Sequence, residues 1–289
     1  TRVVTPTLRD ALERTLGHAV ASEARLGGGS INDAAAVTLV DGTRVFVKTH
    51  PSPPAGMYEA EARGLQWLEE AGAIRVPKVI AFSDVEPAFL ALELLSPASR
   101  RASFDEELGR SLAALHGSGA PSFGLDHDNF IGRLPQSNTP VSDWPTFYWQ
   151  ARLEPQLRLA VDRGLISGRL RSGFDALRNS LPELVGPAEA ASRLHGDLWG
   201  GNLHVDERGA PCLIDPAVYG GHREIDLAMM RLFGGFGERV FSAYHEAMPL
   251  SPEAAQRVPL YQLYPLLVHV NLFGGSYVAG VERAISAYT

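Results

Sequence analysis

The sequence predicts an α+β fold with two lobes, a small antiparallel-sheet lobe over residues 1–95 and a larger, mostly helical lobe over residues 96–289. Short β-branched and aromatic segments joined by glycine-containing turns dominate the first part, whereas apolar residues recur at helical spacing in the second. A chain of 289 residues is long enough to bury a sizeable core and to form two lobes.

Composition and charge exclude several classes of function. The hydrophobic fraction of 45% and the charged fraction of 20% are ordinary for a soluble globular enzyme. A net charge of −7 argues against a nucleic-acid partner, because phosphate backbones require a basic surface. The single cysteine, Cys212, excludes an intrachain disulfide and suits a reducing compartment. No apolar signal segment or membrane-length apolar run is present, so we expect a cytoplasmic protein without a membrane partner.

The first lobe is predicted to begin with a helix that starts near Pro6, is capped by Thr5 or Thr7, and ends at Gly17. A glycine-rich loop, residues 27–33, follows a short strand. The loop lacks the Gly-Lys-Ser/Thr ending of a Walker P-loop, and therefore suits a flap whose backbone N–H groups lie over phosphates. The candidate nucleotide-binding residues in this flap are Gly28, Gly29, Ser30, Ile31 and Asn32.

Lys48 is the candidate phosphate-binding lysine. Residues 36–40 and 44–48 flank an Asp-Gly turn, the strongest short-range signal for a β-hairpin, and Lys48 ends the second strand. Taken alone, a solvated lysine at a strand end is the more frequent interpretation. A glutamate on the next helix should hold the ammonium group. Glu61 is the predicted partner of Lys48 because it lies one turn before the apolar Leu65, and Glu59 is the alternative partner.

Two further strands, at residues 79–82 and 89–94, complete the predicted sheet, and residues 92–97 form the hinge between the lobes. If this hinge is similar to that of a kinase, the backbone groups of Glu93 and Leu95 are expected to bind adenine. After the hinge, Ser103 to Glu106 matches the capping-box pattern of a helix start.

The second lobe contains a polar loop, residues 128–138, of a length that is often functional. His116 is interpreted as a helix cap or a packed histidine, and Asp226 as a brace that accepts backbone hydrogen bonds from the loop at residues 195–202. The segment from Ser251 onward predicts two further helices.

Residues 193–216 carry the chemistry that the sequence predicts. His195-Gly196-Asp197 precedes Asn202, and a short hairpin then runs through residues 203–205 and 212–214 to Asp215. A hairpin brings its two ends together, so Asp197, Asn202 and Asp215 should meet. Two carboxylates and a carboxamide form the oxygen-rich site that Mg²⁺ prefers.

The spacing of these residues matches a protein-kinase catalytic loop, with Asp215 at the place of the second metal-binding aspartate. It predicts a protein-kinase-like fold in which Asp197 is the catalytic base, Asn202 and Asp215 hold Mg²⁺, and ATP is the phosphoryl donor. A metallohydrolase site built from His195, Asp197, His204 and Asp215 is the competing interpretation, although no His-Glu-x-x-His or cysteine-pair spacing supports it.

Five motifs together resemble the fructosamine kinase (ketosamine-3-kinase) family over nearly the whole chain. They are Gly27–Ile31, Val45–Lys48, Asp128–Gly132, His195–Asn202 and Phe233–Phe236. The motif His-Gly-Asp-Leu-Trp-x-Gly-Asn separates this family from the aminoglycoside and choline kinases. Those kinases share the fold and the residues that correspond to Asp197, Asn202 and Asp215. The resemblance implies ATP-dependent phosphorylation of the 3-hydroxyl of a ketosamine such as a ribulosamine, erythrulosamine or fructosamine. That step starts deglycation, because elimination of the sugar phosphate frees the amine.

The candidate substrate contacts are Trp199, whose ring could pack against the sugar, His195, Asp128 and Asn129. Some family members carry a cysteine in the glycine loop that can link two subunits, and Ser30 stands there in this chain. We therefore expect a monomer whose partner is a small-molecule ketosamine or glycated amine.

A kinase for another alcohol, such as an aminoglycoside or choline, is the alternative enzyme. A nucleotide-binding module without catalysis is the alternative outside enzymes, and the intact set of site residues argues against it.

Overall fold

A five-stranded antiparallel sheet forms the first lobe of the computed structural model, which describes residues 3–27 and 32–289. The strands follow the order β1-β2-β3-β5-β4 across the sheet. Their bounds are β1 (Val20–Leu26), β2 (Asp33–Leu39), β3 (Arg44–Thr49), β4 (Val79–Ser83) and β5 (Phe89–Glu93). The predicted hairpin is confirmed, because β2 pairs with β3 around a turn in which Gly42 has a φ of 87°, a left-handed conformation that favours glycine.

Helix α1 (Pro6–Leu16) covers one face of this sheet. The Thr5 hydroxyl accepts a hydrogen bond from the Leu8 N–H at 3.2 Å, and Gly17 ends the helix in the left-handed conformation, as the sequence predicted. The buried leucines of α1 pack against Val45 and Val47 of β3. Because side chains alternate along a strand, Phe46 and Lys48 lie on the opposite face.

Helix α2 (Met57–Glu70) packs on that opposite face. Its buried Leu65 and Leu68 share a core cluster with Leu90 of β5. The first turn of α2 is capped from a distant loop, since the Asp84 carboxylate accepts hydrogen bonds from the Tyr58 N–H at 3.0 Å and the Glu59 N–H at 2.8 Å. The helix therefore has a fixed position above Lys48.

The second lobe is mostly helical. Its helices are α3 (Phe104–Gly117), α4 (Trp144–Phe147), α5 (Glu154–Asp162), α6 (Gly168–Leu184), α7 (Glu224–Phe233), α8 (Glu238–Ala247), α9 (Ala254–Phe273) and α10 (Val278–Ile285). Short antiparallel pairs join β6 (Asn129–Ile131) to β7 (Leu134–Gln136), β8 (Ser192–Leu194) to β11 (Tyr219–Gly221), and β9 (Leu203–Val205) to β10 (Pro211–Leu213). The two helices predicted after Ser251 are confirmed as α9 and α10. No helix in the described part of the chain has the length and apolarity needed to cross a membrane.

One core cluster joins the two lobes. It contains leucines of α2, β5 and α3 together with Leu213 of β10 and Val218. At Gly64 in α2, a Cβ atom would lie 3.3 Å from Cγ2 of Val218, so the absence of a side chain permits this close approach. The contact brings the helix that carries Glu61 next to the segment that follows Asp215. The boundary between the lobes at residues 95 and 96 stays a prediction.

The predicted capping box at the start of α3 is wrong. The helix begins at Phe104, but the Ser103 side chain accepts no backbone hydrogen bond and instead bonds to Oε1 of Glu107 at 2.5 Å. The backbone of Ser103 has a φ of −86° and a ψ of 3°, outside the extended conformation in which a capping hydroxyl reaches the helix N–H groups.

Candidate active site

Lys48 contacts two carboxylates of the candidate site, one from each lobe. Its Nζ atom donates to both carboxylate oxygens of Glu61, at 2.8 and 3.0 Å, and to Oδ1 of Asp215 at 2.9 Å. Burial alone would lower the pKa of Lys48, but the two carboxylates outweigh it and raise the pKa, so the ammonium stays charged. Glu59, the alternative partner, is exposed on α2, and the structure pairs Lys48 with Glu61.

The two carboxylates around Lys48 have pKa values shifted in opposite directions. Burial raises the pKa of Glu61, and the attraction of Lys48 does not fully offset it. Burial also acts on Asp215, but there the charge and the hydrogen bond of Lys48 are stronger and lower its pKa. Asp215 is therefore the carboxylate that keeps its negative charge, and its side chain is 43% exposed to solvent.

The backbone of Asp215 is in an uncommon conformation for a residue with a side chain. Its φ of 49° lies in the left-handed region, which costs about 1–3 kcal/mol and persists only where the surrounding structure enforces it. Hydrogen bonds hold the chain on both sides of Asp215. The N–H of the preceding Ile214 donates to the Asn202 carbonyl at 3.0 Å, and the N–H of Ala217, two residues after Asp215, donates to the His195 carbonyl at 2.9 Å.

Asn202 and Asp197 meet at the start of the β9–β10 hairpin. The Nδ2 atom of Asn202 donates to the Asp197 carbonyl at 2.8 Å and to Oδ2 of Asp197 at 3.2 Å. Among the described residues, Oδ1 of Asn202 accepts no hydrogen bond, which leaves this atom for a cation. Burial, with the negative charge of Asp215, raises the pKa of Asp197 to about 7.

His195 supports the catalytic loop from inside. It is fully buried, its Nε2 donates to the Ile214 carbonyl at 2.9 Å, and its Nδ1 accepts from the Asp197 N–H at 3.2 Å. Burial lowers its pKa, which agrees with a neutral ring. The prediction of His195 as a substrate contact is therefore wrong, because both ring nitrogens are engaged within the protein.

Asp226 braces the same loop, as the sequence predicted. Its carboxylate accepts from the His195 N–H at 2.9 Å, from the Gly196 N–H at 3.0 Å and from Nε2 of His116 at 3.0 Å. These bonds lower its pKa despite complete burial. His116 also bonds to the Tyr244 hydroxyl at 2.7 Å, so it is a packed histidine.

The polar loop at residues 128–138 supports the segment after Asp215. Asn129 is buried, and its Nδ2 donates to the Val218 carbonyl at 2.8 Å while its Oδ1 accepts from Gln136 and Asn138. Asn129 is thus a structural residue, and its prediction as a substrate contact is wrong. Asp128 is exposed, and its Oδ1 accepts from the Asn138 N–H at 2.7 Å.

Sequence reasoning missed the other members of this buried network. Gln136 donates to the Ala217 carbonyl at 3.1 Å and accepts from the Tyr264 hydroxyl at 2.7 Å. Arg152 is buried, donates to Oδ1 of Asn138 at 2.6 Å and lies over the Tyr219 ring at 3.8 Å. The only signal in the sequence was the concentration of amide side chains in one loop.

Trp199 is partly exposed beside the catalytic loop, with 42% of its surface accessible. Its ring covers Gly201 so closely that a Cβ atom at that position would overlap the ring. The glycine therefore fixes where the indole lies, two residues after Asp197.

The flap and the hinge are described in part. Gly28, Gly29, Ser30 and Ile31 lie outside the described residues. The side chain of Asn32 accepts from the Tyr58 hydroxyl at 3.1 Å, which links the end of the flap to α2. At the hinge, the Glu93 N–H donates to the Lys78 carbonyl at 2.9 Å, and the Leu95 N–H donates to no group in the described part of the chain. A role of Glu93 and Leu95 in adenine binding stays a prediction.

The chemistry of the donor set fits a hard cation such as Mg²⁺. Asn202 offers an amide oxygen that accepts no hydrogen bond from the described residues, and Asp215 offers an ionised, partly exposed carboxylate. Within residues 3–27 and 32–289, no three histidine, cysteine, aspartate or glutamate side chains are grouped closely enough to hold a metal ion by themselves. The alternative metallohydrolase site is therefore not supported, and its His204 is exposed on β9.

Solved structures show the same architecture. A crystal structure from Thermobifida fusca, assigned as a fructosamine-3-kinase, matches with a TM-score of 0.90 and 39% identity over 98% of both chains. Choline kinase LicA from Streptococcus pneumoniae matches with a TM-score of 0.63 over 97% of this chain and 96% of its own. At 18% identity, this second likeness shows the two-lobed kinase-like fold alone.

Sequence relatives point to the same family. A protein of Enterococcus faecium described as a probable ketoamine kinase is 36% identical over 90% of this chain and 93% of its own. The chloroplastic protein-ribulosamine 3-kinase of Arabidopsis thaliana is 38% identical over 91% of this chain and 81% of its own. The family profile described as fructosamine kinase matches residues 4–289. The chain therefore belongs to the fructosamine kinase family.

Proposed function

We propose that this protein is an ATP-dependent kinase that phosphorylates the 3-hydroxyl of ketosamines, and that Asp197, Lys48, Asn202 and Asp215 carry the reaction. The observation that supports it most strongly is the contact of Lys48 with both Glu61 and Asp215, which joins the two lobes at one site. Family membership and the names of the relatives support a ketosamine as the acceptor.

Charge neutralisation is the role of the lysine side of the site. The Lys48 ammonium, oriented by Glu61, would bind the phosphate oxygens of ATP. Asn202 and Asp215 would hold Mg²⁺, which supplies further neutralisation of phosphate charge when bound. Positioning and charge stabilisation account for most of the catalysis in phosphoryl transfer.

Asp197 is the proposed base. Its carboxylate would accept a hydrogen bond from the acceptor hydroxyl, hold the oxygen in line with the γ-phosphorus and take the proton as the new oxygen–phosphorus bond forms. The bond from the γ-phosphorus to the bridging oxygen breaks, and ADP leaves. A pKa of about 7 suits a group that exchanges a proton near neutral pH.

Trp199 would pack its exposed ring against the sugar of the acceptor.

We also propose that the protein is a monomer in the cytoplasm. Its single cysteine, Cys212, is buried and suits a reducing compartment. The Arabidopsis relative is a chloroplastic protein.

The test is a panel of acceptors incubated with ATP and Mg²⁺ and followed by phosphorus NMR. Ribulosamine, erythrulosamine and fructosamine adducts of one amine are compared with the free sugar, the free amine, choline and an aminoglycoside. We expect a phosphate monoester resonance with at least one ketosamine and none with the other compounds. Phosphorylation of choline or the aminoglycoside alone would support the related kinases instead.

A further inference from the structure

An exposed group of aromatic rings lies on the second lobe beside the candidate site. The aromatic shelf, as we call it, consists of Phe233 at the end of α7, His269 and Phe273 of α9, and Tyr277. His269 is its centre, with ring centroids 4.6 Å from Phe233, 5.4 Å from Phe273 and 5.1 Å from Tyr277. Phe233 is 38% exposed and Phe273 is 51% exposed, so apolar ring surface faces solvent.

Two glycine segments connect the shelf to the catalytic loop. A Cβ atom at Gly200 would lie 3.2 Å from the Gly234 carbonyl oxygen and 3.4 Å from the Cα of Gly235, so the two backbones are in close contact. Gly200 directly follows Trp199, and Gly234 directly follows Phe233. The residues that carry the exposed indole and the first ring of the shelf are therefore each one residue away from this backbone contact.

The shelf offers ring faces and no formal charge. The Nδ1 atom of His269 donates to the Pro265 carbonyl at 2.7 Å, which leaves Nε2 as an acceptor on a neutral ring. Burial lowers the pKa of His269 and keeps it in that form. Aromatic faces attract ammonium groups and pack against apolar substituents, so the surface suits a cation with an aromatic or aliphatic group attached.

We propose that the aromatic shelf binds the amine-borne substituent of the ketosamine, an inference that rests on the proposed function. In a ketosamine, the 3-hydroxyl oxygen and the amine nitrogen are separated by four bonds, a span of about 5 Å. With the hydroxyl at Asp197 and the sugar against Trp199, the ammonium group lies at the edge of the indole. Its substituent then continues over Phe233 and His269. The preferred substrates are ketosamines whose nitrogen carries an aromatic or long apolar group.

The test compares two acceptors that share one sugar, the ribulosyl adduct of benzylamine and that of methylamine. We expect wild-type protein to favour the benzyl adduct by about 3- to 10-fold in kcat/KM, the range for one aromatic contact. Phe233→Ala and Phe273→Ala should raise the KM for the benzyl adduct and reduce this preference, with little change in the KM for ATP. Phe82→Ala, at a 40% exposed phenylalanine of β4 in the other lobe, is the matched control and should keep the preference.

The possible outcomes distinguish a failure of the shelf proposal from a failure of the proposed function. Turnover of neither adduct by wild-type protein would contradict the proposed function itself. Turnover of both without a substituent preference, or an equal loss on both in the shelf variants, would overturn the shelf alone. Sedimentation that shows a dimer in wild-type protein and a monomer in Phe273→Ala would also overturn it, because the rings would then cover a second copy of the chain.

Discussion

The two halves of the candidate site are built in different ways. Lys48 and Glu61 lie on a regular strand and a regular helix, and a direct ion pair joins them. Asp197, Asn202 and Asp215 lie at turns and strand ends, where no repeating geometry fixes a side chain. These three depend on a buried polar network that holds their backbone.

The difference explains which residues support each half. On the sheet side, the alternation of β3 directs Val45 and Val47 to one core and leaves Lys48 on the face of α2. On the loop side, Asp226 and His195 together hold four backbone positions around the loop. Damage to the network should therefore disturb the loop half while leaving the lysine half in place.

A large effect is expected from Asp215, the proposed metal ligand of the loop half. Asp215→Asn removes the ionised carboxylate proposed to hold Mg²⁺ and one of the two partners of Lys48. Turnover should fall by about 10²-fold or more, equivalent to about 2.7 kcal/mol of transition-state stabilisation. Steady-state kinetics with a Mg²⁺ titration measure this, and wild-type turnover with an unchanged Mg²⁺ requirement would contradict the metal assignment.

In the lysine half, Lys48→Met should lower kcat/KM for ATP by about 10- to 10²-fold, because the loss removes one charge-assisted contact with phosphate. The fold should be retained, since Glu61 has a raised pKa and can become neutral when its partner is lost. Lys78→Met, at an exposed lysine of the same lobe, is the control. Equal kinetics in both variants would make Lys48 an ordinary strand-end charge.

The stability of the nucleotide-free and Mg²⁺-free protein should distinguish the two aspartates of the loop half. The folded pKa of Asp197 is raised from 3.8 to about 7, so its contribution to stability is full below pH 4 and is lost as the pH rises through 7. Asp197→Asn cannot ionise and should be more stable than wild type at pH 8, by up to about 4 kcal/mol, with no difference near pH 4.

Asp215→Asn is the matched comparison for that measurement. The pKa of Asp215 is lowered, so its ionised form stabilises the fold above its unfolded pKa, and the variant should be less stable than wild type at pH 8. Thermal unfolding from pH 4 to pH 8 measures both variants. A lower melting temperature for Asp197→Asn than for wild type at pH 8 would contradict the raised pKa of Asp197.

The smallest effect on activity is expected from the supporting network. Gln136→Leu removes the donors to Ala217 and Asn129 and the acceptor for Tyr264, leaving buried groups without partners. Stability should fall by about 1–3 kcal/mol, and the Mg²⁺ concentration for half-maximal turnover should rise less than tenfold. An unchanged Mg²⁺ requirement together with a changed KM for ATP would show that Gln136 supports the lysine half, and would contradict its assignment to the loop half.

The sequence predicted the lysine half from local rules. The Asp-Gly turn and the alternation of β3 placed Lys48 at the strand end, and the position of Glu61 before Leu65 and Leu68 selected it as the glutamate that a kinase-like site requires. The structure has this pair. The same kind of rule failed at Ser103, because the local backbone there does not adopt the conformation that a capping hydroxyl needs.

For the loop half, the sequence predicted the convergence of the three site residues from their spacing, but not the contacts that hold them. The distance in sequence from Asp197 to Asn202 and Asp215 indicated that they converge, and the hairpin brings them together. His195 and Asn129 were assigned to substrate because polar residues in a motif suggest contact. Their burial depends on long-range partners such as Ile214 and Val218, and local sequence does not show such partners.

The central claim is that Asp197 acts on the acceptor hydroxyl and is not a ligand of the nucleotide or its metal. Asp197→Asn keeps one acceptor oxygen for Asn202 but loses the charge and the capacity to take a proton. The decisive measurement pairs Mg·ATP affinity by calorimetry with ketosamine phosphorylation by phosphorus NMR in this variant. We predict that turnover falls by about 10²- to 10⁴-fold while the affinity for Mg·ATP changes by less than about tenfold. Loss of nucleotide binding, or full turnover, would contradict the account.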